Sequence, residues 1–527
     1  MRFPTRVSTV LALLALLGRV SLAGAQSDTS RVIRAVEIRR LGIFDSAEAS
    51  RSGLFRLANQ LHFGTRESVI RSELLFRPGM PIDSALISET ERNLRGLGLF
   101  RNVAIDTVRT DSGLVARVTA ADAWTTSPGF DFESTGGQSF FAASFIENNF
   151  VGMGSQVLAR YGTYPDYHAA EFEYTHPRLI ANRIDVDAYH ERQSNAYLSF
   201  LVLAYPFRAL ASPFGLSLTS RHFDGRVLHY TAGPTAQVDS LENRTTKFFL
   251  EAEKAVRANA RGYLRVGLIV QVLRSDYLPE SSTAVFPHHV SIAAGPTLDI
   301  SHAHFMTTTN YQHLRQTEDV DLSTSLSLGA LVVAGSGQKG VAPFARVRLG
   351  TKLPRGFGIL EGMASGQFLS TGLDSGSAVL GATAIFQLGG NRQRLLLHVE
   401  GGIAQNVSPT DQFEMGTTYG PRAFGAHSFT GDRYHLVTAE YRYTISPELW
   451  NVAGIGLAVF ADQGGAWYRS STSRSGSDVG IGLRIGPTRD ADLRTLGIDL
   501  TRRFANDALG AGWVVVIGKG FTFTLAQ

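Results

Sequence analysis

No cysteine occurs among the 527 residues, so disulfides, thiolate metal sites and a cysteine nucleophile are excluded. Charge is scarce too, with Asp, Glu, Lys and Arg making up 18% of the chain. Nor does any uninterrupted apolar run of about 20 residues follow the N-terminus, the length a membrane helix needs. A Gly-x-Ser-x-Gly elbow, His-Glu-x-x-His and a Walker loop are all missing. These absences leave no expected catalytic residue, metal ligand or cofactor, and the chain does not read as an enzyme. Gly480-x-Gly482-x-x-x-Gly486 lies in an alternating stretch with no following helix, so it reads as strand glycines rather than a dinucleotide loop.

Residues 1–25 read as a secretory signal. Arg2 and Arg6 precede a short apolar core, and Ala23-Gly24-Ala25 supplies small residues for cleavage. Removing Arg2, Arg6 and Arg19 lowers the formal charge of +4 to about +1. Nucleic acid is therefore not an expected partner.

What the chain does have is alternation. Val479, Ile481, Leu483 and Ile485 share one face, while Gly480, Gly482, Arg484 and Gly486 take the other. Leu496, Ile498 and Leu500 oppose Thr495, Gly497, Asp499 and Thr501. A period of two marks strands that see two different environments. From 129 to 527 there are more than roughly 16 such runs, up to about 20, separated by polar turns. Some read as halves of one strand or as loop segments. The pattern suits a closed antiparallel barrel with lipid outside and a polar lumen. One long Gly-, Thr-, Asp- and Pro-rich interruption covers 404–433, and connections of that length inside a barrel are usually functional.

Residues 31–122 differ. A strand is expected over 32–38, helices over 65–76 and 83–97, and a hairpin over 101–120. Thr65 and Asp83 stand at the two N-cap positions, and Gly98 ends the second helix. Strand, helix, helix, strand, strand is a small α+β module.

Several stretches resemble the BamA/TamA superfamily of outer-membrane barrels, in which periplasmic POTRA domains precede the barrel. The turn Leu94-x-x-x-Gly98-x-Phe100-x-x-Val103 is similar to a POTRA helix-to-strand turn. Asn149-Phe150-Val151-Gly152-Met153-Gly154 and Thr175-His176-Pro177 resemble early barrel corners of that family. Arg422-Ala423-Phe424 lies in the long interruption and resembles the tip of the family's sixth extracellular loop. Ala461-Asp462-Gln463-Gly464 resembles the barrel element that the tip reaches. Ala423 departs from the family's glycine, and a left-handed backbone there would cost about 1 kcal/mol or more. A literal Arg355-Gly356-Phe357 sits at a short turn and is read as a decoy.

Alternation alone places Thr438, Glu440 and Arg442 in the lumen. It likewise places Asp462 there with Phe460, opposite lipid-facing Leu457, Val459 and Ala461. Two lumenal carboxylates on adjacent strands form an acceptor for an inserted arginine. The expected loop-to-barrel lock is Arg422, Phe424, Glu440, Asp462 and Gly464.

The resemblance implies a mainly β fold: a transmembrane barrel of roughly 16 strands after one POTRA-like domain. It also implies location in the outer membrane of a diderm bacterium, with the POTRA-like domain in the periplasm. The implied role is assembly, insertion or translocation of protein. Unfolded outer-membrane or secreted clients, outer-membrane lipid, and periplasmic chaperones or accessory lipoproteins are the partners it suggests. A lateral seam is expected between a first strand at 129–133 and a last strand at 512–525, marked by Gly512, Gly518, Gly520, Phe521 and Phe523. Glycine there removes cross-strand partners. A dedicated exporter or passive channel remains the alternative.

Overall fold

The computed structural model describes residues 32–519 except 112, 136–137, 165–166, 181–182, 231–236, 280–288, 337, 371, 407–411, 417–418, 491–494 and 506–509. The expected signal at 1–25, and Gly520, Phe521 and Phe523 of the seam, lie outside the described residues.

The N-terminal module opens with β1 (Ile33–Leu41). Four helices follow: α1 (Ser46–Arg51), α2 (Gly53–Leu61), α3 (Glu67–Glu73) and α4 (Ser84–Gly96). It closes with the hairpin β2 (Phe100–Thr110) and β3 (Gly113–Asp122). The sheet order is β1-β3-β2, with β1 parallel and β2 antiparallel to β3. Apolar positions at helical and strand spacing converge on one core of Ile33, Ile70, Leu94, Phe100, Val103 and Val118. Asp83 caps α4 by accepting the Ala85 N–H at 2.8 Å, and Gly98 leaves the helix at φ +67°.

Three expectations for this module need correction. Two helices, α1 and α2, occupy a segment given no element above. Thr65 is not an N-cap: α3 starts two residues later, and the Thr65 hydroxyl instead accepts from Asn149 Nδ2 at 3.0 Å. That helix also stops at Glu73 rather than running on to 76.

Twenty of the remaining described strands form one antiparallel sheet, from Thr126–Thr135 to Gly512–Lys519, joined in sequence order into a ring. The expected sixteen is therefore corrected to twenty. The first strand is also longer than the expected 129–133. Lengths are uneven: Thr126–Thr135 and Gln156–Thr163 have 10 and 8 residues, whereas Gln237–Asn259 has 23.

Alternation assigns the faces as expected. Val459 and Ile481 are 55% and 60% exposed outside, while Phe460 and Asp462 are buried within. Among the described residues no helix is long and apolar enough to cross a membrane.

A hairpin of two short strands, Phe305–Thr309 and Thr317–Asp321, folds into the barrel end nearest the α+β module. The Glu318 carboxylate closes its turn, accepting the N–H groups of Tyr311 at 2.7 Å and Gln312 at 2.8 Å. The hairpin's outer strand meets the module through a two-pronged Arg95–Asp319 pair, with Nε–Oδ2 at 2.6 Å and Nη2–Oδ1 at 2.8 Å.

Candidate functional site

The connection between Gln393–Gln405 and Arg433–Leu449 turns back into the lumen instead of standing clear of the barrel. Two short strands, Phe413–Met415 and Phe429–Gly431, pair to give it a spine. Between them the tip lowers Arg422 until it is 4% exposed. Its Nε donates to Asp462 Oδ2 at 2.8 Å and its Nη1 to Glu440 Oε2 at 2.5 Å, while Nη1 lies 3.7 Å from Asp499 Oδ2. The guanidinium stacks 3.8 Å from the centroid of the Phe460 ring.

Neighbouring side chains complete the site. Arg442 donates to Glu440, and Arg484 pairs with Asp499. Asp478 Oδ2 accepts the Ala423 N–H at 3.0 Å. Buried ions need this degree of compensation, because each charge taken from water costs several kcal/mol unless matched. The arrangement fixes one conformation of a loop that occupies the lumen.

Phe424 is fully buried beside Phe429, with ring centroids 5.0 Å apart. The inward glycines make room for these rings. A Cβ at Gly476 would stand 2.2 Å from Phe424 Cζ, and one at Gly480 would stand 2.4 Å from Phe460 Cζ. At Gly464 a Cβ would meet His435 O at 2.9 Å and Met415 Cε at 3.1 Å. Farther along the loop, Tyr419 and the wall residue Tyr434 both donate to the buried Glu400.

All five expected lock residues, Arg422, Phe424, Glu440, Asp462 and Gly464, thus meet in one place. Sequence reasoning missed Asp478, Asp499 and Arg484 as members of the lock, although Arg484 and Asp499 had been placed on the polar faces of their strands. It also missed Glu400, Tyr419 and Tyr434. Ala423 brings no left-handed strain, since it is not among the described residues with positive φ. Arg355 lies in the short turn between Gln338–Leu353 and Gly356–Leu369, whose first residues are Gly356 and Phe357, and Phe357 packs in a cluster that contains none of the lock residues.

The seam is a second feature. Thr126–Thr135 pairs with Gln138–Glu147 along its whole length, from Thr126↔Glu147 to Thr135↔Gln138. Among the described residues it meets Gly512–Lys519 at the registered pair Ile517↔Ser134. Gly512 and Gly518 lie on that last strand. At its base the first strand is held by another turn: Trp124 N–H donates to Arg489 O at 2.7 Å, and Ser127 Oγ to Asp490 Oδ2 at 3.0 Å.

No protein-family model matches this sequence, and no curated protein matches it. Among solved structures, similar ones include BamA from Haemophilus ducreyi lacking POTRA domains 1–3. It is 12% identical, with 93% of this chain and 85% of that chain covered and a TM-score of 0.43. CdiB from Acinetobacter baumannii is 12% identical over 92% of this chain and 73% of that one, at a TM-score of 0.44. CdiB from Escherichia coli gives 12%, 92%, 76% and 0.46.

Proposed function

We propose that the chain is an outer-membrane barrel that inserts or translocates other proteins, with its α+β module acting as a periplasmic POTRA-like domain. The occupied lumen carries this reading. A bore filled by a loop pinned through Arg422 and by the 305–321 hairpin is not an open pore, so a client must pass either through the wall or through the bore once the loop has left. The wall closes between Thr126–Thr135 and Gly512–Lys519, where Ile517 pairs with Ser134. Gly512 and Gly518 bring no side chain to cross-strand packing there, so this junction is where the wall would part and offer its backbone to an incoming strand, the chemistry of β-augmentation. The exposed apolar belt, including Phe130, Phe141, Val459, Ile481 and Trp513, supports placement in lipid. In the module, β1 and β2 form the two edges of the sheet, where an unfolded client would first pair.

The test is a tether. The chain has no cysteine, so Ser134→Cys with Ile517→Cys places a single disulfide across the registered pair at which the ring closes. Oxidation of the reconstituted double variant should abolish acceleration of client-barrel insertion, and reduction should restore it. Full activity in the oxidised state would refute the opening step.

A dedicated exporter is the second reading, favoured because the element that fills the bore is a loop rather than part of the wall. It requires the locked loop to leave the lumen. Steady conductance that rises on Arg422 substitution, without client insertion by the unsubstituted protein, would select it.

A further inference from the structure

Helix α2 turns one face to the module and leaves a second, apolar face outside it. At about 100° per residue, Phe55, Asn59 and His62 fall on one side of the helix. There Phe55 stacks on Phe44 at 4.1 Å, Asn59 brackets the Phe44 backbone, and His62 Nε2 reaches Asp122 at 2.9 Å. Leu54, Leu57 and Leu61 occupy a separate arc of roughly 60°. They are 75%, 47% and 65% exposed. Three leucines aligned at this spacing toward solvent are the reverse of what a helix on a water-soluble domain needs.

Both ends of the α1–α2 segment are fixed to the barrel. At its start, Arg489 donates to Glu48 Oε1 at 2.6 Å and to the Ile43 carbonyl at 3.3 Å. Past its end, Asn149 Nδ2 donates to Phe63 O at 2.8 Å, and Arg66 N–H donates to Gly152 O at 2.9 Å. Arg489 belongs to the turn between Gly476–Pro487 and Leu496–Ala505, and Asn149 to the turn after Gln138–Glu147. Between those turns run the strands on either side of the seam and one neighbour of each. The helix therefore crosses the barrel rim beneath the seam.

We infer that α2 lies in the headgroup region of the adjacent leaflet, with Leu54, Leu57 and Leu61 buried among lipid chains beside the seam. The inference rests on the barrel crossing a membrane, as proposed above. The occupant is lipid because the apolar surface continues onto the barrel's lipid-facing belt. Phe63 follows the helix at 46% exposure, and the turn that holds it exposes Phe150 and Val151 at 45% and 37%. Charge agrees: Arg51, Arg56 and Arg66 are exposed around the segment, placed to meet lipid phosphates. A wedge there would disturb the lipid beside the strands at which the proposed opening occurs.

The test uses nitroxide labels on single cysteines in the full chain, reconstituted in phospholipid nanodiscs without client. Leu57→Cys and Leu61→Cys should collide with oxygen and be shielded from an aqueous nickel chelate, at a depth of roughly 5–10 Å. Gln60→Cys should show the opposite preference. Val459→Cys on the barrel wall reports the membrane reading separately. If Val459 is lipid-exposed while position 57 meets the chelate as position 60 does, the inference fails and the barrel reading stands. Shielding of position 57 from both reagents means protein covers it, which also overturns the inference. A chelate-accessible Val459 would refute the barrel reading itself. Heat-modifiable gel migration of each variant identifies those that fold.

Discussion

The strands Arg433–Leu449 to Leu496–Ala505 and the strands that close the ring belong to one sheet but carry different side chains. The first group is bound across its lumenal face by Arg422, Arg442 and Arg484 against Glu440, Asp462 and Asp499, in addition to continuous backbone pairing. The closing strands meet at Ile517↔Ser134, and the last of them carries Gly512 and Gly518, which bring no side chain to cross-strand packing. The comparison teaches that ionic reinforcement is concentrated on one arc of the wall. A braced arc beside a junction that carries glycines directs opening to that junction.

The largest effect on this contrast should come from Arg422→Ala. Removing the cation leaves Asp462 buried without its arginine, while Glu440 keeps Arg442 and Arg484, and breaking a buried pair from one side costs about 3–5 kcal/mol. The loop should become protease-accessible and insertion activity should fall. Unchanged cleavage and activity would remove the lock from the account. Gly476→Ala comes next, because its methyl would overlap Phe424 and overpacking costs about 1–3 kcal/mol. The midpoint of heat-modifiable gel migration should drop, and a Phe424→Leu second change should recover part of it.

Acid should act on the other end of the molecule. Burial tends to raise the Glu48 carboxyl, but the hydrogen bond and charge of Arg489 and the Asp45 N–H outweigh it and hold it below its ordinary value. Its contribution to docking is therefore complete above the ordinary glutamate range, about 4.3. It disappears as pH falls through the lower folded value. Protease access to the 42–64 segment should rise there, and Glu48→Gln should flatten that dependence. The smallest effect is expected from Ala423→Gly. With no positive φ to relieve, the glycine should lower stability by about 0.5–1 kcal/mol through chain entropy. A gain would show that Ala423 is strained after all.

Much of the lock was legible because period two assigns every residue of a strand once a single face is known. That logic put Glu440 and Asp462 inside and Val459 outside. It could not pair Asp499 with Arg484, since cross-strand partners depend on register, and alternation carries no register. Strand number was misjudged because the count was borrowed from a resemblance, while the chain itself shows up to about 20 alternating runs. Helices α1 and α2 escaped notice for a physical reason: Leu54, Leu57 and Leu61 do not belong to the module's buried core, so no single buried stripe marks the segment.

The lumenal hairpin at 305–321 adds a mechanical consequence. One end is tied to α4 through Arg95 and Asp319, and at the other the Tyr311 carbonyl accepts from Arg442 at 2.8 Å, the same guanidinium that serves Glu440. The module is thus braced against the loop lock by a strut through the bore. Should it swing away, either the Arg95–Asp319 joint parts or Tyr311 is drawn off Arg442, so tension applied below is delivered to the latch above.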